Sequence, residues 1–287
     1  MAGRDTRIIF SDNGSLVEIT NEIAEYFTGS YVLPFVTAED YLYCGSFFPF
    51  NHKWVKVDVA NTNVSSLQVD HWDGREWKAC VDIIDQTKVS GVALAQDGII
   101  SWVPEKKNSW DREDTNNEGQ TVTGLTSLNI YDLYWVRMKW SADLSVTTAI
   151  KYFGYKFATD AMLGAEYPDL NNSTARTAFN QGVSGKNDWE EQHVVAAEAI
   201  ITDLKVTNTI VHPGQILDWD VFTKAAVHKC AQIIYNSFGD DYKDNRDQAQ
   251  KLYDKEMANS FKRLDWVADG KLTVTEGLQP NIGRVYR

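Results

Sequence analysis

The hydrophobic period of this chain changes partway along, and the change limits what it can fold into. In the first 160 residues apolar side chains recur at every second position; from residue 189 they recur every third or fourth. Residues 133–140 show the first pattern. Tyr134, Val136, Met138 and Trp140 fall on one face, and Leu133, Trp135, Arg137 and Lys139 on the other, the mark of a half-buried strand. Residues 53–59 alternate likewise, with Val55, Val57 and Val59 opposite Lys56 and Asp58. Residues 67–72, then Asp73-Gly74, then residues 75–84 read as a hairpin, because Asp-Gly accepts the positive φ of a tight turn. Residues 99–103 and 147–157 add further strands, and Ile19, Ile23 and Tyr26-Phe27 predict a short amphipathic helix within 16–27. Strands at this spacing predict an all-β sandwich or jelly-roll-like domain over residues 1–160.

Residues 161–188 read as a linker, rich in Asn, Ser, Thr and Gly from 171 onward. The spacing then predicts three main helices over residues 189–270. Asp188 and Glu191 resemble a capping box, and Val194, Ala197, Ile201 and Leu204 form the first stripe. The second helix begins at Asp218 or Asp220, packs through Phe222, Ala226, Cys230, Ile233 and Ile234, and stops at Gly239. The third is capped by Asp244, with Ala249, Leu252, Met257, Phe261 and Leu264 inward. Residues 271–287 are short, broken by Gly and Pro, and net positive, and they read as an extended tail. The fold class expected is α+β.

The formal charge of −12 argues against a protein that grips phosphate backbones, since such proteins neutralise phosphates with Lys and Arg. Cys44, Cys80 and Cys230 are far apart and odd in number, which predicts reduced thiols and synthesis in the cytoplasm. The first residues lack the apolar core of a signal peptide, and no run reaches the ~18 apolar residues of a membrane span.

No phosphate-binding loop, dinucleotide fingerprint, zinc-protease helix or nucleophile elbow is present. The five histidines are scattered, and no acid pair stands out for glycosidic chemistry. The expectation is therefore no enzyme, no cofactor and no metal. A calcium site in the acidic loop 111–118 is a minor alternative. Asp240, Asp241 and Asp244 form an acidic cluster, read from the residues as solvated loop charge. Seven of the ten tryptophans lie in the β half. As a group they read as filling a sandwich core; Trp72, Trp77, Trp102 and Trp110, beside turns and loops, are the candidates among them for exposed aromatics that bind a ligand or partner.

Residues 216–270 carry a family resemblance. A helix opens near an acidic-aromatic step and bears an Ala-rich, Tyr-containing face. A short acidic loop follows, and then a helix of the form LYDKEMANSFKRLD that leads into Asp269-Gly270. This stretch resembles the head-to-tail connector (adaptor) proteins of tailed bacteriophages, with residues 189–204 matching the family's first helix. Simple members lack the β domain, which looks like the β-sandwich modules of phage necks and tails. The resemblance implies a virion protein of the neck, in a ring commonly of twelve copies under the portal. Its partners would be the portal protein, its own copies, downstream tail or neck proteins, and viral DNA that passes without specific binding; no membrane is involved. The portal-binding tail would use Lys271, Leu272, Val274, Pro280, Ile282, Arg284, Val285, Tyr286 and Arg287. The alternative function is a carbohydrate- or receptor-binding module working through the four tryptophans.

Overall fold

The computed structural model describes residues 6–104, 110, 122–125, 133–179 and 187–259. The expected tail, the 111–118 loop, Phe261 and Leu264 lie outside the described residues. The protein is α+β; the described residues form eleven strands, concentrated in the N-terminal part, and six α-helices.

The strands are β1 (Thr6–Asp12), β2 (Ser15–Glu18), β3 (Tyr31–Val32), β4 (Tyr41–Ser46), β5 (His52–Val59), β6 (Leu67–Trp72), β7 (Trp77–Ala79), β8 (Val81–Asp85), β9 (Gly98–Val103), β10 (Tyr134–Trp140) and β11 (Ala149–Gly154). They form two antiparallel sheets, one of six strands in the order β2-β1-β4-β10-β6-β7 and one of five in the order β3-β11-β5-β9-β8. One apolar cluster draws on both. It takes Ile8, Phe10, Cys44, Val69, Val136 and Met138 from the first sheet, and Val55, Ile100, Trp102, Ile150 and Phe153 from the second.

Two local expectations change. The stretch 75–84 is two strands, not one. β7 pairs with β6, and β8 pairs with β9 in the other sheet. Cys80 is the pivot, its N–H donating to the Val69 carbonyl at 2.9 Å, and Asp82 takes φ 49° beyond it. The turn before β7 spans four residues. Asp73 Oδ1 accepts the N–H groups of Arg75 and Glu76 at 2.9 and 2.8 Å, so its side chain organises the loop and only Gly74 takes positive φ.

Likewise 16–27 is not one helix. Asn13 and Gly14, at φ 46° and 82°, make the two-residue turn that returns the chain as β2. Only α1 (Thr20–Ile23) is helical, and it buries Ile23 while Phe27 stays 65% exposed.

The described residues divide into two compact units: a β unit up to Gly154 that also claims His212–Leu217, and a helical unit of Tyr155–Val211 and the residues from Asp218 on. The helical unit contains α2 (Asp160–Glu166), α3 (Ser173–Phe179), α4 (Glu190–Val206), α5 (Thr223–Ser237) and α6 (Lys243–Asn259). The stretch expected as a linker is thus partly helix. α2 starts on a Thr159 cap, a 3₁₀ turn covers Pro168–Asn171, and α3 follows. Short helices with few apolar residues carry a weak periodic signal, and these are fixed by tertiary hydrogen bonds instead. The stripe on α4 is wider than read, with Val194, Ala196, Ala197, Ile200 and Leu204 buried and Ile201 half-buried. Gly239 turns at φ 86° between α5 and α6.

Candidate functional site

Of the four candidate aromatics, Trp72 and Trp102 are 1% exposed and Trp110 is 6% exposed. They do not present rings to solvent, which corrects the reading of them as surface aromatics. Trp102 and Trp110 both pack on Phe50, with centroids at 5.5 and 5.7 Å, inside the main cluster. Trp72 belongs to a second cluster with Ile9, Tyr43, Val122, Leu125, Leu133 and Trp135. The alternation of β10 was right, but both of its faces are covered. Sequence period assigns a side chain to a face and is silent on what covers that face. The second cluster is tight: a Cβ on Gly45 would lie 2.7 Å from the Trp135 ring, and one on Gly124 2.2 Å from the Tyr43 hydroxyl.

Trp77 alone of the four is half-buried. It sits opposite Trp72 in the hairpin register and donates its indole N–H to the Thr123 carbonyl at 3.0 Å. The Arg137 guanidinium stacks 4.9 Å from its ring and 4.8 Å from that of Tyr41, and Arg137 Nε donates to Asp70 at 2.8 Å. The planar surface a sugar would need is thereby already taken up by a cation and its carboxylate.

Asp240, Asp241 and Asp244 are all exposed, at the corner between α5 and α6. Elsewhere in the helical unit three phenols pair across its elements. Tyr253 on α6 donates to Asp203 on α4 at 2.5 Å, Tyr235 on α5 donates to Asp169 at 2.7 Å, and the Tyr167 hydroxyl meets His228 Nδ1 at 2.8 Å.

The polar centre that sequence reading missed lies on α2 and α4. Asp160 accepts from the Trp189 N–H at 3.2 and 3.3 Å and pairs with His193 Nε2 at 3.0 Å. Arg176 of α3 stands 3.7 Å away, and the Trp189 indole donates to the Leu170 carbonyl at 2.9 Å. Beside it Lys156 and Glu190 form a buried ion pair at 2.5 Å, their side chains 7% and 14% exposed. His193 had read as a lone histidine because its partner stands 33 residues upstream.

Burial pushes the Asp160 carboxyl upward, but His193, the Trp189 N–H and Arg176 outweigh it and hold the group below the usual carboxylate range. A carboxyl depressed by folding contributes stability above its unfolded pKa of ~3.9, and that contribution is lost as pH falls through the folded value. Asp160→Asn should therefore cost about 1–3 kcal/mol near neutral pH. The gap to the wild type should narrow in acid below pH ~4, as read from urea unfolding at both pH values. An unchanged gap would show that the charge of Asp160 is not what matters.

The cysteines are free and buried, and burial lifts the thiols of Cys44, Cys80 and Cys230 away from the reactive range. Among the described residues no group of three metal-ligating side chains gathers, and no helix is long and apolar enough to cross a membrane. Comparison with protein-family models, curated proteins and solved structures finds no match.

Proposed function

We propose that this chain is a structural virion protein, a head-to-tail connector that forms a ring under the portal of a tailed bacteriophage and lets DNA pass. The observation that carries the reading is the α5–corner–α6 hairpin. It falls in the stretch with the adaptor likeness, and its tight turn at Gly239 leaves Asp240, Asp241 and Asp244 exposed. In this reading α4, α5 and α6 are the three-helix body of the adaptor. The two sheets, which share one apolar cluster, are the layers of an appended sandwich.

Ring contacts between copies are heterologous and close by rotation. Exposed carboxylates facing a channel would repel phosphate over a Debye length of ~8–10 Å, so that DNA slides without sticking. The tail, residues 271–287, would reach the portal, and the opposite end of the ring would receive downstream neck or tail proteins. No cofactor, metal or catalytic step is assigned. The glycan-binding alternative loses its main support with the burial of Trp72, Trp102 and Trp110.

Full-length protein and a chain ending at Gly270 should differ sharply on purified portal. The full chain should bind and the shortened one should not. Equal affinity of the two would remove the tail from the mechanism.

A further inference from the structure

The segment His212–Leu217 stands between α4 and α5 in sequence, yet it belongs to the β unit. All six of its residues are buried, which is unusual for a connection between helices. A buried loop must satisfy its own backbone, and this one pairs four of its N–H groups within itself. The Gly214 N–H donates to His212 Nδ1 at 2.9 Å, and the His212 N–H to Gln215 Oε1 at 3.1 Å. Gln215 and Ile216 donate to the His212 and Pro213 carbonyls at 3.1 and 3.0 Å. The strap is a preformed turn.

Its seat is the corner between β4 and β5. The His212 ring stacks on Phe48 at 5.5 Å and 18°, with Ser46 Oγ at 3.4 Å from Nε2. Asn51 donates to the Leu217 carbonyl at 2.9 Å. Gly214 lies so close that a Cβ would stand 2.8 Å from the Pro49 carbonyl oxygen. Ile216 is fully buried.

There is almost no slack on either side. α4 ends on a left-handed cap at Asn208, φ 49°, with Thr209 and Ile210 bonded back to the Leu204 carbonyl. Val211 alone separates that cap from the strap. After Leu217 only Asp218 precedes the 3₁₀ turn Trp219–Phe222, which runs straight into α5. One residue spans at most ~3.6 Å, so the strap cannot leave its seat without unwinding one helix end or pulling on it.

We propose that the strap is a conformational coupler: its docking at the β4–β5 corner fixes the end of α4 and the start of α5, so that seat occupancy and the order of both helix ends are one equilibrium. The coupling is independent of the connector reading.

Hydrogen exchange on the full-length chain tests this, using Gly214→Val, which cannot fit the seat, and the milder Asn51→Ala, which removes the bond to the Leu217 carbonyl together with the Asn51–His52 bond. Amides of the strap, of residues 207–210 and of the first turns of α5 should exchange ~10-fold faster or more, in step, while β10 keeps its protection. Fast exchange in the strap with wild-type rates at both helix ends would overturn the coupling. So would a strap that stays protected in Gly214→Val. If Gly214→Val does not fold, Asn51→Ala carries the same two outcomes.

Discussion

Trp102→Ala should cost about 3–5 kcal/mol of stability, the loss expected when a large buried aromatic is removed and its site collapses only in part. The indole is 1% exposed and packs edge-on against Phe50, so nothing near it can fill the space without moving the shared core. Trp72→Ala should fall in the same range, since its ring is enclosed by Trp77 at 5.4 Å and by the second cluster. Trp77→Ala should lose only about 1–2 kcal/mol, from a half-exposed ring and one hydrogen bond to Thr123. Denaturant unfolding of the three variants separates a core role from a recognition role. A Trp102→Ala protein as stable as the wild type would contradict the core assignment.

The Lys156–Glu190 pair should show the second large effect. Either residue alone changed to alanine removes the counter-charge 2.5 Å from a largely buried partner, at a cost of about 3–5 kcal/mol. Lys156→Met with Glu190→Leu removes both charges and keeps most of the volume, so the double variant should be far less damaged than the sum of the two single changes. The pair joins the segment before α2 to the first turn of α4, so the loss should appear in the helical unit. Additive losses in a double-mutant cycle would mean that the two charges do not depend on each other.

What the sequence made legible follows from what period and turn chemistry encode. The faces of β10 and the inner stripes of α4 and α5 could be read, because each repeats over seven residues or more within one element. The switch of strand at Cys80 could not. No glycine or proline marks it, and the change of sheet depends on pairing with β9, almost twenty residues on. The hairpin at Asn13-Gly14 did carry a signal, but the i, i+4 spacing of Ile19 and Ile23 favoured a helix there. Those two residues do reach the core, from a strand end and a single helical turn.

The aromatic site misread has a similar origin. Placing Trp72 and Trp77 beside a turn located them correctly, but Val122 and Leu125, which share the buried cluster of Trp72, lie far along the chain. The Asp160 centre and the strap are likewise products of contacts between distant residues. Nothing local distinguishes His193 or His212 from a solvated histidine. The acidic corner was legible because exposed charge after a helix-ending glycine needs no tertiary partner.

The connector account stands or falls on assembly. Electron microscopy of the purified full-length protein mixed with portal should show a closed ring of this chain seated coaxially on the portal. A protein that stays monomeric and leaves the portal bare at high concentration would contradict the account.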